Sequence, residues 1–385
     1  MIRGDWLMDC RWFRFPTGRK LIHPFWLPGI LLVASLSYAG EARQTQLDDW
    51  EKILARARQD GRVTLGTNLG TPEFRQGVTT AFAKRYGIPL ELRVLEGAEL
   101  VAVAGRECAA GRVSMDVLLG GLSELITLHP KGCLAPVKPK LLLPEVADGK
   151  YWRGGALKFN DLEGQYLLQL SEFASFGRLL FNTDQVKPQE LRTTSDLLKP
   201  KFKGKIAGFD PRVSGAGQAT AAYLLTVFGE DYIRKLYLGQ SVVYSTNHRQ
   251  LGEWVARGTY SMALGVQERG FEPFAKEGFP LKVLNSLDDA PGYLLGGSGV
   301  VKVMKDSPHP DGAIVLLNWL ASKEGQEICS RTVDQPSRRA DVQLDDVPSY
   351  LYPKPGVKYL DTYSHDFYTK KRPEVMKVLN NLLGR

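Results

Sequence analysis

The sequence predicts an α/β fold of two strand–helix lobes, and three features carry that expectation. From Arg62 to His129 the chain runs strand, loop, helix and then repeats the pattern, alternating apolar stretches with apolar faces at helical spacing. A second series of the same rhythm spans about 181–284. Two extended stretches, 166–181 and 292–303, suit a chain that crosses between lobes and returns. Repeats of this kind close parallel sheets through right-handed crossovers.

Each element has a local reason. Leu47, Trp50, Ile53, Leu54 and Ala57 give residues 46–60 one apolar helical face, and Gly61 is a C-terminal glycine. Strands are predicted over 62–67, 90–95 and 115–119, and helices over 73–86, 98–111 and from Ser123 to His129. Residues 134–155 read as a surface connection rich in Pro, Lys and Leu. The lysines of 194–205 read as a solvated basic turn. The strand 206–209 leads through a loop holding Pro211, Ser214, Gly215 and Gly217 into a helix that ends at Gly229. A helix over 231–238, a strand over 242–245, a helix over 250–257 and a strand over 260–265 complete the second lobe. Pro308 and Pro310 set up one helix over 311–329, and 373–383 form a closing helix.

Composition is that of a globular protein: 385 residues, 43% apolar, 24% charged and a formal charge of +8. The first 39 residues carry +3 of it, from Arg3, Arg11, Arg14, Arg19 and Lys20 against Asp5 and Asp9. An apolar run from Phe25 to Ala39 follows, and Ser37-Tyr38-Ala39 is a small-x-small cleavage signal, so residues 1–39 are expected to be a signal peptide for export. Met8 as the true start, or an uncut membrane anchor, stays open. The remainder, at +5 and without an arginine-rich block, favours an anionic ligand or surface and does not support nucleic-acid binding. The expected division is 1–39 signal peptide, 40–172 first part of lobe 1, 173–287 lobe 2, and 288–385 the return to lobe 1 with C-terminal helices. Cys108, Cys133 and Cys329 follow the leader; one bridge, between Cys108 and Cys133, and three buried thiols are both open readings.

The motifs of chemistry are sparse. His-Glu-x-x-His, Cys-x-x-Cys and Gly-x-Ser-x-Gly are absent, the five histidines are scattered, and no catalytic set, metal cage or cofactor is expected. Ligands of parallel sheets sit beyond the carboxyl ends of the strands, which singles out the loops 67–71, 120–123 and 210–217. In the last of these, Ser214, Gly215 and Gly217 precede a helix whose unpaired amides and dipole suit an anion. The bland alternative is a simple cap and turn. Asn68 and Thr71 in the first loop, Gly121 in the second and Ser175 at the crossing are candidate contacts. Arg212, Arg249 and Arg338 are candidate charge partners, since guanidinium forks match carboxylate and phosphate; a surface or salt-bridge role for each is the alternative.

Three stretches, 203–217, 254–265 and 308–325, together resemble the extracellular solute-binding proteins of bacterial ABC importers, in the branch containing the iron(III)-binding proteins. The resemblance covers nearly the whole mature chain, and the His309-Pro310 helix ending Ser322-Lys-Glu-Gly325 is its most specific part. It implies the two-lobed type II periplasmic binding fold, a cleft that closes on a solute, no enzymatic activity, a periplasmic monomer and a membrane permease as partner. Iron-binding members carry adjacent tyrosines after the strand matching 260–265. Here Val266-Gln-Glu-Arg-Gly-Phe271 has none. An anionic solute, phosphorylated, phosphonate or carboxylate, is therefore the expectation. Ferric iron capture and a ligand-sensing role beside a membrane histidine kinase are the alternatives.

Overall fold

The computed structural model describes residues 48–213 and 215–384. The expected signal peptide, Ser214 and Arg385 lie outside the described residues. Helix α1 runs to residue 60. After it come β1 (Val63–Thr67), α2 (Pro72–Tyr86), β2 (Leu90–Val94), α3 (Gly97–Ala109), β3 (Val117–Gly120), α4 (Glu124–Thr127), β4 (Leu134–Ala135), α5 (Pro144–Ala147) and β5 (Leu168–Gln169). Strand β6 (Phe173–Ser175) leads into β7 (Leu179–Asn182), β8 (Ile206–Phe209), α6 (Ala216–Ile233), β9 (Val243–Ser245), α7 (His248–Ala256), β10 (Met262–Leu264), α8 (Glu268–Lys276) and β11 (Leu281–Leu284). The chain closes with β12 (Tyr293–Leu295), β13 (Val300–Met304), α9 (Pro310–Ala321), α10 (Lys323–Val333), β14 (Leu360–Asp361) and α11 (Arg372–Leu383).

Two sheets form the two lobes. The first has the order β2-β1-β3-β13-β4 with β5 also on β13; β1 is parallel to β2 and β3, and β13 returns antiparallel. The second has the order β11-β7-β10-β8-β9, parallel across β10, β8 and β9. Each sheet is covered by its own buried cluster. Phe74, Val78 and Phe82 of α2 meet Trp319 of α9 over the first, while Tyr223 and Leu224 of α6 pack with Phe181 and Ile206 over the second. The spacing of Phe74, Val78 and Phe82 is one helical face, which is why α2 was legible as a helix.

Residues 311–329 do not form one helix. Ser322 takes an extended conformation and its Oγ accepts the Gly325 amide, so α9 stops and α10 starts there. A Cβ on Gly325 would stand 2.0 Å from the Trp319 carbonyl oxygen, so the corner closes only around glycine. Cys108 and Cys133 form a disulfide, and Cys329 is a buried thiol with its pKa pushed up to about 12 by burial.

A third, small sheet joins the lobes. In it β12 lies between β6, antiparallel, and β14, parallel. Glu172, just before β6, is 4% exposed and holds Arg338 at 2.7 Å, Lys158 at 3.0 Å and Arg153 at 3.6 Å. Lys158 also reaches Asp361 of β14 at 2.6 Å. Burial alone pushes the Glu172 carboxyl up, but Arg338, Lys158 and Arg153 outweigh it and hold it below the ordinary carboxylate value.

Two predictions follow from these bonds. The bridge closes a loop with a sequence separation of 25 residues, and reducing it should lower unfolding free energy by roughly 3 kcal/mol, read as a lower urea midpoint. Glu172 has a depressed folded pKa, so its stabilisation is present above the unfolded carboxylate pKa and is lost as pH falls through the folded value. Urea midpoints measured between about pH 6 and 3 should fall on acidification, and Glu172→Gln should flatten that slope.

Candidate functional site

The loops singled out by sequence follow the carboxyl ends of parallel strands in the two sheets. On the first lobe, Asn68 follows β1 and donates from Nδ2 to Ser298 Oγ at 3.0 Å, and Gln335 accepts the Ser298 amide at 3.3 Å. Gly120 ends β3 and Gly121 follows it, close to the Gly297 carbonyl. Beneath this loop stands a fully buried ion pair: Lys302 Nζ lies 2.8 Å from the Gly121 carbonyl oxygen and 3.0 Å from Glu124 Oε1. Burial pulls the Lys302 ammonium below the ordinary lysine value, against the opposing field of Glu124. The pair ties the Gly120–Glu124 turn to β13.

On the second lobe the wall is the end of β8 and the start of α6. Gly215 occupies the N-cap position with φ 148° and offers no side-chain cap, and the first backbone bond of the helix runs from Ala219 N to the Gly215 carbonyl. A Cβ on Gly217 would stand 2.0 Å from the Phe209 carbonyl oxygen, so the helix start is pressed against the strand end. Close packing thus accounts for Gly217 by itself. Phe209 stacks on His248 at 4.3 Å and 22°.

The other candidates divide. Ser175 is buried on β6, accepts the Gly177 amide at 2.8 Å and meets the Tyr293 hydroxyl. Thr71 is exposed, and its Oγ1 caps α2 by accepting the Phe74 amide at 3.2 Å. Arg212 forks onto Asp210 at 2.8 and 2.7 Å and lies over Tyr244, so it closes its own loop. Arg249 is exposed in the first turn of α7, over the Phe274 ring. Arg338 is 7% exposed and bound to Glu172 and the Arg153 carbonyl, behind the crossing strands. Of the three arginines taken as charge partners, Arg212 and Arg338 are therefore already neutralised by carboxylates. Asn68 and Gly121 stand at strand ends of the first sheet, and Gly215 and Gly217 at the start of α6 beside the second.

The cleft mouth is acidic. Glu268 follows β10, where the tyrosine pair is missing; it holds Arg178 at 2.8 Å and accepts the Tyr350 hydroxyl at 2.6 Å. Asp334 caps α10 and has its pKa raised by burial and then by Glu272 and Glu268 of α8, so the two lobes' helices approach there. Among the described residues no group of three or more His, Cys, Asp or Glu is placed to hold a metal ion. None is a helix long and apolar enough to cross a membrane.

A family model described as bacterial extracellular solute-binding protein matches residues 78–350. The chain belongs to that family. The solved structures agree on the two-lobed fold. An ABC transporter protein from Clostridium perfringens is 18% identical with a TM-score of 0.64, covering 84% of this chain and 100% of its own. Iron-bound HitA from Pseudomonas aeruginosa is 19% identical with a TM-score of 0.60, covering 83% and 99%. AfuA from Actinobacillus pleuropneumoniae, solved with exogenous fructose-6-phosphate, is 19% identical with a TM-score of 0.55, covering 83% and 98%. An uncharacterized protein of Haemophilus influenzae is 25% identical over 189 residues, 48% of this chain. That match spans 51% of the relative's own length.

Sequence reasoning missed Lys302, Glu124 and Ser298. Lys302 sits in an apolar strand where an exposed lysine is the ordinary reading, and only the fold shows it buried. Lys302→Met leaves Glu124 buried without its counter-charge and should cost about 3–5 kcal/mol of stability, measured by urea unfolding; adding Glu124→Leu should recover much of that loss.

Proposed function

We propose that this solute-binding protein works in the periplasm as the capture component of an ABC importer, closing on a small anionic solute and delivering it to a membrane permease. What supports the reading is the membership of the solute-binding family together with small-residue loops at strand ends of both sheets. Asn68, Gly121 and Ser298 stand at the strand ends of one sheet, and the start of α6 at Gly215–Gly217 beside the other, with a three-stranded sheet between the lobes. Ser214 belongs to this proposal by its place in the loop. Amides at a helix start favour negative charge, and closure strengthens such bonds by removing water. HitA is described as iron-bound and AfuA as holding a sugar phosphate; the run 266–271, without a tyrosine, favours the second kind of cargo.

A thermal-shift screen of phosphate esters, phosphonates, carboxylates, polyamines and ferric citrate tests this. Anionic compounds should raise the melting temperature, with stabilisation of about 2.7 kcal/mol at a hundredfold excess over Kd. Ser214→Ala combined with Gly215→Ala should weaken that response. A response to polyamines alone, or a coloured ferric complex, would overturn the anionic assignment.

A further inference from the structure

The C-terminal segment makes a third passage between the lobes, after β6 and β12. Tyr363 donates its hydroxyl to the Gly297 carbonyl at 2.9 Å, and its ring lies against Gly296, so it borders the first-lobe side of the cleft. Tyr368 is 8% exposed in the cluster holding Leu118, Leu122 and Met304 of that lobe. A few residues on, Val375 and Leu379 of α11 are buried in the cluster of the second lobe. Arg372 stands at the changeover. Its guanidinium lies 4.5 Å from the centre of the Tyr368 ring, and Nη2 donates to Gln218 Oε1 at 2.9 Å. Gln218 is the third residue of α6, one past Gly217.

Arg372 differs from Arg212 and Arg338 in having no carboxylate partner among the described residues. Arg212 has Asp210 and Arg338 has Glu172. Arg372 is half-buried, its partners are a neutral amide and a ring face, and no ion pair to it occurs among the described residues. A partly desolvated cation beside the positive end of α6 is electrostatically unfavourable until a negative group joins it. Lys or Arg is normally welcome at the other end of a helix.

We infer that Arg372 is a ligand-binding residue, its guanidinium pairing with the anionic group of the solute on closure while Gln218 and Tyr368 hold it in place. The C-terminal segment then forms a third wall of the cleft. This rests on the anion reading above. A guanidinium fork suits an oxyanion that presents two oxygens side by side, as in phosphate, phosphonate or carboxylate groups.

The test measures binding of inorganic phosphate, methylphosphonate and citrate to the mature protein and to Arg372→Gln and Arg372→Lys, by calorimetry at several salt concentrations. Wild type should bind at least one probe. Arg372→Gln should weaken it about tenfold or more and give a shallower dependence on salt, and Arg372→Lys should fall between them. A folded Arg372→Gln variant, shown by near-ultraviolet circular dichroism, that keeps affinity within about twofold and the same salt slope would overturn this assignment and leave the anion reading standing. If Arg372→Gln does not fold, Arg372→Lys decides: unchanged affinity and salt slope overturn it. Wild type binding none of the three would overturn the anion reading and this inference with it.

Discussion

The backbone pairing of β6, β12 and β14 is the constraint on which the rest of the molecule depends. Strands of three, three and two residues are too short to be stable as an isolated sheet. They persist because each continues into a lobe with its own buried cluster, and because Glu172 gathers Arg153, Lys158 and Arg338 at their edge. A narrow ladder between two large cores concentrates bending at one place.

The cleft separates its tasks by depth. Its floor is built from interactions closed on themselves: Lys302 with Glu124 and Gly121, Asn68 with Ser298, Gln335 with the Ser298 amide. Carboxylates of α8 and the end of α10 approach one another, and on the second lobe α6 starts at Gly215 against the end of β8. The C-terminal segment adds to this by laying Tyr363 against the floor and Arg372 against the wall.

Much of the fold was legible because it is written in short-range signals. The face of Phe74, Val78 and Phe82, the glycine after α2 and the strand–helix alternation all act within one turn or one strand. The pairing of Cys108 with Cys133 was one of two open readings, and proximity settled it. The single helix expected over 311–329 failed where Ser322 and Gly325 form a corner, a cap signal hidden inside a good helical pattern. The site was less legible. Thr71 reads as a loop residue and serves as a cap, and Arg338 reads as a ligand group and is enclosed by Glu172.

The sequence alone determined the order of strands and helices, the small-residue loop before α6 and the missing tyrosines after β10. Each is a property of a few adjacent residues. Only the tertiary structure decided which charges are already neutralised. Glu172 meets Arg338 across 166 positions and Arg372 meets Gln218 across 154. Charge pairing depends on distance in space and on access of water, and neither can be read along the chain.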